Sequence, residues 1–418
     1  MARLQAPRGT FDVLGDAALA RAEVERVARN VLEAAGYARI ETPTFEATEL
    51  FARGVGRSTD VVQKEMYTLP AETEGGESLT LRPEGTAPVC RAYLEHGMHK
   101  APQPVKLWYL SSFFRRERPQ AGRYRQFWQI GAEAIGSDDP AVDAESILLL
   151  ADLLAALGVA GARLRIGSLG TPETRATYRE ELQAHLRAHE PELSAEIVGR
   201  IDLNPLRAFD ADHPGTRRVM ESAPRLIDRL TDEDRAHFAT VLALLEQASI
   251  AYEIDPTLVR GLDYYTRTVF EFTSDALGAQ SGVAGGGRYD GLIEQIGGPH
   301  TPGMGWAAGV ERMLLAAAPP PVGPPPVDLY VAYAGDEFRT PAFKLAADAR
   351  RSGHPTRLEL GGRSLKGQLK QADRSGARYV AIVGGEASGG TVLKDLESGE
   401  QRTVETDTVM HHIRGGIL

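Results

Sequence analysis

Between Phe113 and Gly136 the chain reads FFRRERPQAGRYRQFWQIGAEAIG: two strand-like runs joined by a loop in which Arg115, Arg116, Arg118, Arg123 and Arg125 surround one acid, Glu117. Guanidinium groups gathered this closely repel one another unless polyanions occupy them, and their forked geometry suits phosphate. Phe127 offers a flat face for an adenine ring. Gln129 and Glu133 share its parity, so an extended strand puts Arg125, Phe127, Gln129 and Glu133 on one face. A solvent-exposed basic hairpin accounts for the arginines but not for polar and aromatic residues alternating inside an apolar strand. A second polar intrusion, RGLDYY, places Arg260, Asp263, Tyr264 and Tyr265 at the start of another strand-like run. Two glycine-rich stretches follow, AGGGRYDGL (284–292) and GMGWAAGVERML (303–314). The first lacks the Lys-Ser/Thr pair of a phosphate-binding P-loop.

Arg115-x-Glu117 on this hairpin resembles motif 2 of class II aminoacyl-tRNA synthetases, and the fuller RRERPQ, GRYRQF and GAE pattern is similar to the histidyl-tRNA synthetase family. LVRGLDYYTRTVFEF (258–272) and AGGGRYDGL resemble that family's histidine signatures, and residues 303–314 resemble motif 3 with its terminal arginine, Arg312. LTLRPEGTA (79–87) and PTFEATELFARGVGRSTDVVQKEMYTL (43–69) carry the likeness to the front of the chain. Each piece is weak alone; their joint order is specific.

The resemblance implies ATP-dependent activation of L-histidine and its transfer to the 3′ end of histidine tRNA. It implies that Arg115 holds the α-phosphate and carboxylate, that Arg260 also touches the α-phosphate, and that Arg312 holds the terminal phosphate. Glu117, Arg123 and Phe127 complete the ATP site, with Glu117 meeting the adenine amino group or orienting an arginine. Glu84, Thr86 and Gln129 are assigned to the substrate α-amino group. Strong rejection of similar rings requires partners for both imidazole nitrogens; Glu133 and Tyr265 are expected to supply them, with Tyr264 and Arg260 lining the pocket. For Glu84 the residues alone suggest instead a local cap or a salt bridge with Arg82. Arg118 and Gln120 are nominated for the extra 5′ guanosine of histidine tRNA. Mg2+ is expected with ATP, its ligands unknown, and a homodimer is implied, with residues 36–49 near the two-fold axis. The alternative is the non-catalytic regulatory subunit of ATP phosphoribosyltransferase, but such proteins generally lose the RGLDYY loop and the tail, both present here. Trp128, where the family often has histidine, Arg57, where an acid is common, and the GWAAGVER form of motif 3 depart from the usual pattern.

These residues need scaffolding. Alternating aromatic and β-branched runs at KLWYLSSFFR, RQFWQIGAEAIG, ARLRIGS and RTVFEFTS predict strands, the first two joined as an antiparallel hairpin. Asp16 to Gly36 reads as a helix with Asp16 as its cap, and residues 171–250 as a helical insertion. AAAPPPVGPPP breaks the chain with an extended connector. Beyond it, alternating strands and helices predict an α/β unit with a largely parallel sheet, ending in a hairpin around Ser398 and Gly399. The patterning predicts an α+β fold class, an antiparallel sheet of six or more strands flanked by helices with a helical insertion and a separate C-terminal α/β domain; the resemblance implies that the sheet is that of a class II synthetase and that the C-terminal domain binds the anticodon. The expected boundaries are 1–170 and 251–318 for the catalytic domain, 171–250 for the insertion, 319–326 for the linker and 327–418 for the tail.

The 418 residues carry a net charge of −10, so nucleic-acid contact must be local. Residues 327–418 hold 13 Lys and Arg against 12 Asp and Glu, compared with 34 and 45 elsewhere. Cys90 is the only cysteine, which excludes an internal disulfide and makes a cysteine metal site implausible. The first residues contain no apolar run of secretory length, and a cytoplasmic location is expected.

Overall fold

A computed structural model describes residues 3–56, 59–71, 76–259, 262–278, 281–317, 326–386 and 390–415. The chain forms two compact units, Met1–Pro321 and Val322–Leu418. All of the expected linker except Pro326 lies outside the described residues.

The strands of the first unit are β1 Ala38–Arg39, β2 Phe45–Ala47, β3 Tyr67–Leu69, β4 Leu79–Leu81, β5 Val105–Phe114, β6 Gln126–Ile135, β7 Arg163–Ser168, β8 Tyr252–Ile254, β9 Thr266–Thr273, β10 Gly282–Arg288 and β11 Gly303–Gly309. Eight of them form one sheet in the order β1-β5-β6-β11-β10-β9-β7-β8, and β2-β4-β3 form a small second sheet. The run from β5 to β7 is antiparallel throughout; only the edge pairs β1/β5 and β7/β8 are parallel. This is the flanked antiparallel sheet that the alternating runs predict.

One face packs on the helices Asp16–Ala34, Pro140–Ala156 and Asp232–Gln247 through Val24, Leu32, Ile147, Leu150, Val241 and Leu245, which meet Trp108, Ile130, Phe270 and Trp306 from the strands. The first helix differs from expectation at its start. Asp16 is its first residue rather than its cap; Gly15 precedes it at φ 56°, with no side-chain capping bond. The next long helix is capped as sequence chemistry prefers, Asp139 accepting the Ala141 N–H at 2.8 Å ahead of Pro140.

Residues 171–250 are helical, with helices Pro172–Ala188, Ala195–Val198, Pro214–Glu221 and Asp232–Gln247. In the second unit, β12 Val327–Tyr333, β13 Thr356–Leu358, β14 Ala377–Val383, β15 Thr391–Asp395 and β16 Gln401–Val404 assemble as β13-β12-β14-β15-β16. The first three are mutually parallel, and the last two add antiparallel pairs through the expected hairpin. The sheet is thus mixed rather than largely parallel, because the connection from Val383 to Thr391 is too short for the crossover that a parallel neighbour needs, so β15 returns antiparallel beside β14.

Candidate active site

Cross-strand register sets the pocket floor. β6 residues Phe127, Gln129, Gly131 and Glu133 stand opposite Phe113, Ser111, Tyr109 and Leu107 of β5. On the other side Gly309, Ala307 and Gly305 of β11 lie beside Gln129, Gly131 and Glu133. Gly285 of β10 and Glu271 of β9 continue the row. Small residues leave a recess of about 260 Å3, walled by Glu84, Thr86, Tyr109, Arg115, Glu117, Arg123, Phe127, Gln129, Tyr264, Tyr265, Glu271 and Arg312, among others. Two glycines are required by close approach. A Cβ on Gly305 would lie 1.8 Å from Glu133 Oε2, and one on Gly131 would lie 2.1 Å from the Tyr109 ring.

One end of the recess is acidic and aromatic. Glu84 does what its local sequence suggests, accepting the N–H groups of Thr86 at 2.8 Å and Ala87 at 3.0 Å at the start of helix Thr86–Glu95, yet it also faces the pocket. The suggested Arg82 partnership is not formed; Arg82 donates to the carbonyls of Ser112, Thr42 and Pro43. Glu133 is completely buried and lies behind the pocket wall. Tyr289 donates to it at 2.7 Å, Thr86 at 2.9 Å and Tyr109 at 3.4 Å. Burial pushes its pKa up to about 8, against the pull of the Tyr289 and Thr86 hydroxyls and with the nearby Glu84 charge adding to the rise. Burial likewise raises Glu84. Two buried carboxylates that resist ionising favour a cationic ligand between them. Tyr264 and Tyr265 pack edge to face at 4.7 Å, and the Tyr264 hydroxyl reaches Glu84 at 3.5 Å.

The other end is basic. Arg115 donates to the Pro83 carbonyl at 2.9 Å and lies 5.3 Å from the Phe127 ring centroid. Glu117 sits between Arg115 at 3.8 Å and Arg123 at 3.5 Å. Arg312 lies beside them in the first turn of helix Val310–Ala316, its pKa lowered by burial and by the charge of Arg123. An anion bound there would relieve that repulsion.

The five loop arginines do not act as one cluster. Arg115 and Arg123 line the recess; Arg116 turns to the Tyr67 ring, Arg118 is exposed, and Arg125 reaches the carbonyls of Glu117 and Arg8. Gln120 is exposed at a neighbouring surface hollow with Phe11 and Tyr124. Arg260 and Arg57 lie outside the described residues. Sequence reasoning missed Tyr109, Tyr289, Glu271 and Glu311. Strand parity in KLWYLSSFF and FEF could have flagged Tyr109 and Glu271, whereas Tyr289 is found only by its contact with Glu133. No cluster of three metal-ligating side chains occurs among the described residues, and none of their helices is long and apolar enough to cross a membrane.

The comparisons with known proteins agree along the chain. A family profile described as histidyl-tRNA synthetase matches residues 9–313, and one described as anticodon binding domain matches residues 328–415. Histidine–tRNA ligase of Halothermothrix orenii is 45% identical over 403 residues, covering 95% of this chain and 96% of the relative. That of Streptomyces coelicolor is 47% identical over 412 residues, covering 97% and 96%. The apo histidyl-tRNA synthetase of S. aureus superposes with a TM-score of 0.80 at 34% identity, covering 99% of this chain and all of that one. A Bacillus halodurans structure described as an ATP phosphoribosyltransferase regulatory subunit/histidyl-tRNA synthetase shares the fold, with a TM-score of 0.66 at 23% identity over 91% of this chain and 98% of that one.

Proposed function

The chain belongs to the histidyl-tRNA synthetase family, and from that premise we propose how its pocket activates L-histidine with ATP and passes it to the 3′ end of histidine tRNA. A histidine carboxylate oxygen attacks the α-phosphorus of ATP, the α–β anhydride bond breaks, and pyrophosphate leaves. The terminal hydroxyl of the tRNA then attacks the adenylate carbonyl and releases AMP. The supporting observation is the polarity of the recess, with Glu84 in its wall and the buried Glu133 behind that wall at one end and Arg115, Arg123 and Arg312 at the other. Such a gradient orients an ammonium-bearing amino acid towards a polyphosphate before reaction.

In this reading Glu84, Thr86 and Gln129 take the α-ammonium. Tyr265 serves one imidazole nitrogen and Glu133, at the deep end, the other; Tyr264 closes the side. Arg115 binds the α-phosphate and carboxylate, Arg312 the terminal phosphate, and Phe127 stacks on adenine with Glu117 and Arg123 at its edge. Arg260 joins the α-phosphate and is counted with Arg115 and Arg312 as catalytic. Arg118 and Gln120, both exposed on the loop, read the 5′ end of the tRNA. Glu117 and Glu271 line the recess and would be the carboxylates available to a Mg2+ ion, which such sites hold through one or two carboxylates plus phosphate oxygens. The ion would neutralise polyphosphate charge.

Residues 1–170 and 251–318 form the catalytic domain in this reading and 171–250 a helical insertion, whose last helix Asp232–Gln247 packs beneath the catalytic sheet; 319–326 are a linker and 327–418 the anticodon-binding domain. Two copies pair around residues 36–49, and the protein works in the cytoplasm. The regulatory-subunit alternative is disfavoured by relatives named as ligases over nearly the whole chain.

The test is exchange of pyrophosphate into ATP. Histidine alone among the amino acids should support it, and Arg260→Ala should abolish most of it; no exchange from folded protein with Mg2+ would overturn the reading.

A further inference from the structure

We propose that Arg21, on the first helix and outside the pocket, is a positioning residue for the ATP end of the site, acting through Glu311 on the helical turn that carries Arg312. The inference rests on the ATP reading of that end. Its starting point is the place where β11 stops. β11 pairs with β6 as far as Gly309 opposite Gln129 and then turns into helix Val310–Ala316. The next residue of β6, Trp128, is left with a backbone N–H that no β11 carbonyl can meet. The Glu311 carboxylate accepts it instead, at 3.0 and 3.3 Å, and so ties the first turn of the helix to the strand.

Glu311 is itself buried, and burial raises its pKa. Its partner is Arg21, whose guanidinium forms an ion pair with it. That guanidinium also lies between two aromatic rings, 5.7 Å from the centroid of Phe11 and 5.6 Å from that of Trp128. Phe11 in turn packs on Tyr124 at 4.8 Å, next in sequence to Arg123. One side chain therefore braces both the turn that carries Arg312, read as binding the terminal phosphate, and the stretch that carries Arg123, read as lying at the adenine edge. The unusual Trp128 gains a reason: its ring covers Arg21 while its backbone anchors Glu311. Remove the guanidinium, and a buried carboxylate loses its counter-charge and must move or protonate, carrying the turn of Arg312 with it.

Steady-state pyrophosphate exchange, with ATP and histidine varied separately, tests this on four variants of the full chain: Arg21→Ala, Arg21→Lys, Glu311→Gln and the double Arg21→Ala/Glu311→Gln. Arg21→Ala should raise KM for ATP roughly ten-fold, the scale of one charged hydrogen bond, while KM for histidine stays within about two-fold. Arg21→Lys should recover most of the loss. The double variant should be no worse than Glu311→Gln alone, since Arg21 acts through that carboxylate. A merely structural role would lower the melting temperature and leave both KM values unchanged, or raise them together; either result overturns the proposal, as does a double variant showing the product of the single effects. If Arg21→Ala does not fold, Arg21→Lys and the double variant, which leaves no unpaired charge, still decide it. Wild-type protein without histidine-dependent exchange would overturn the function itself, a failure distinct from variants that behave like an active wild type.

Discussion

On one face of β6, Trp128, Ile130, Ala132 and Ala134 join the apolar cluster beneath the helices Asp16–Ala34 and Pro140–Ala156; on the other, one residue out of step, Phe127, Gln129, Gly131 and Glu133 form the floor of the recess or lie just behind it. The first face is satisfied by the fold, since apolar burial stabilises in proportion to area and needs no ligand. The second holds groups that the fold leaves strained in charge, Glu133 and Glu84 pushed towards the neutral form and Arg312 pushed the same way. A strand period of two is enough to separate stability from chemistry.

That separation can be broken from either side. The largest effect is expected from Ile130→Ala, which opens a cavity in the fully buried cluster and should cost about 2–5 kcal/mol in urea unfolding without changing KM for either substrate below the transition. A change in KM would mean that the two faces are coupled. Arg115→Ala should do the reverse, lowering exchange turnover about 10²- to 10³-fold, as loss of one preorganised donor does, with little change in melting temperature.

Glu133→Gln sharpens the contrast. KM for histidine should rise roughly ten-fold or more, and the pH dependence of stability should flatten. The sign follows from the raised pKa. Between the ordinary 4.5 and about 8 the folded state keeps a proton that the unfolded state has released. The stabilisation is complete below pH 4.5 and is lost as pH rises towards 8. Melting curves of wild type and variant across that window check it; parallel curves would refute the burial argument. The smallest effect lies in the second unit. Replacing exposed Lys366 and Lys370 by Ala should raise KM for tRNA a few-fold and reduce the log–log salt slope by roughly one to two, with pyrophosphate exchange untouched.

Much of this site could be read from residue order. The polar parity of Phe127, Gln129 and Glu133, the acid between arginines, and the pair of tyrosines all line or back the recess. The five arginines looked like one anion site because sequence spacing cannot show which way a loop side chain turns; the fold sends Arg116, Arg118 and Arg125 elsewhere. Asp16 looked like a cap because its type suits one, yet backbone geometry makes Gly15 the residue before the first turn. Glu84 read as a local cap or a substrate ligand, and the structure puts it where it can be both.

By itself, then, the sequence determined the strands, their alternating faces, the helical middle and the family, because periodicity and local chemistry are properties of neighbouring residues. Only the tertiary structure decided that Tyr289 and Thr86 hold Glu133 in a fully buried position, that Gly305 must lack a side chain to admit it, and that Arg21 meets Glu311 from 290 residues away. Burial, and with it the cost of charge, is set by residues remote in the chain, and no local pattern records which of them arrive.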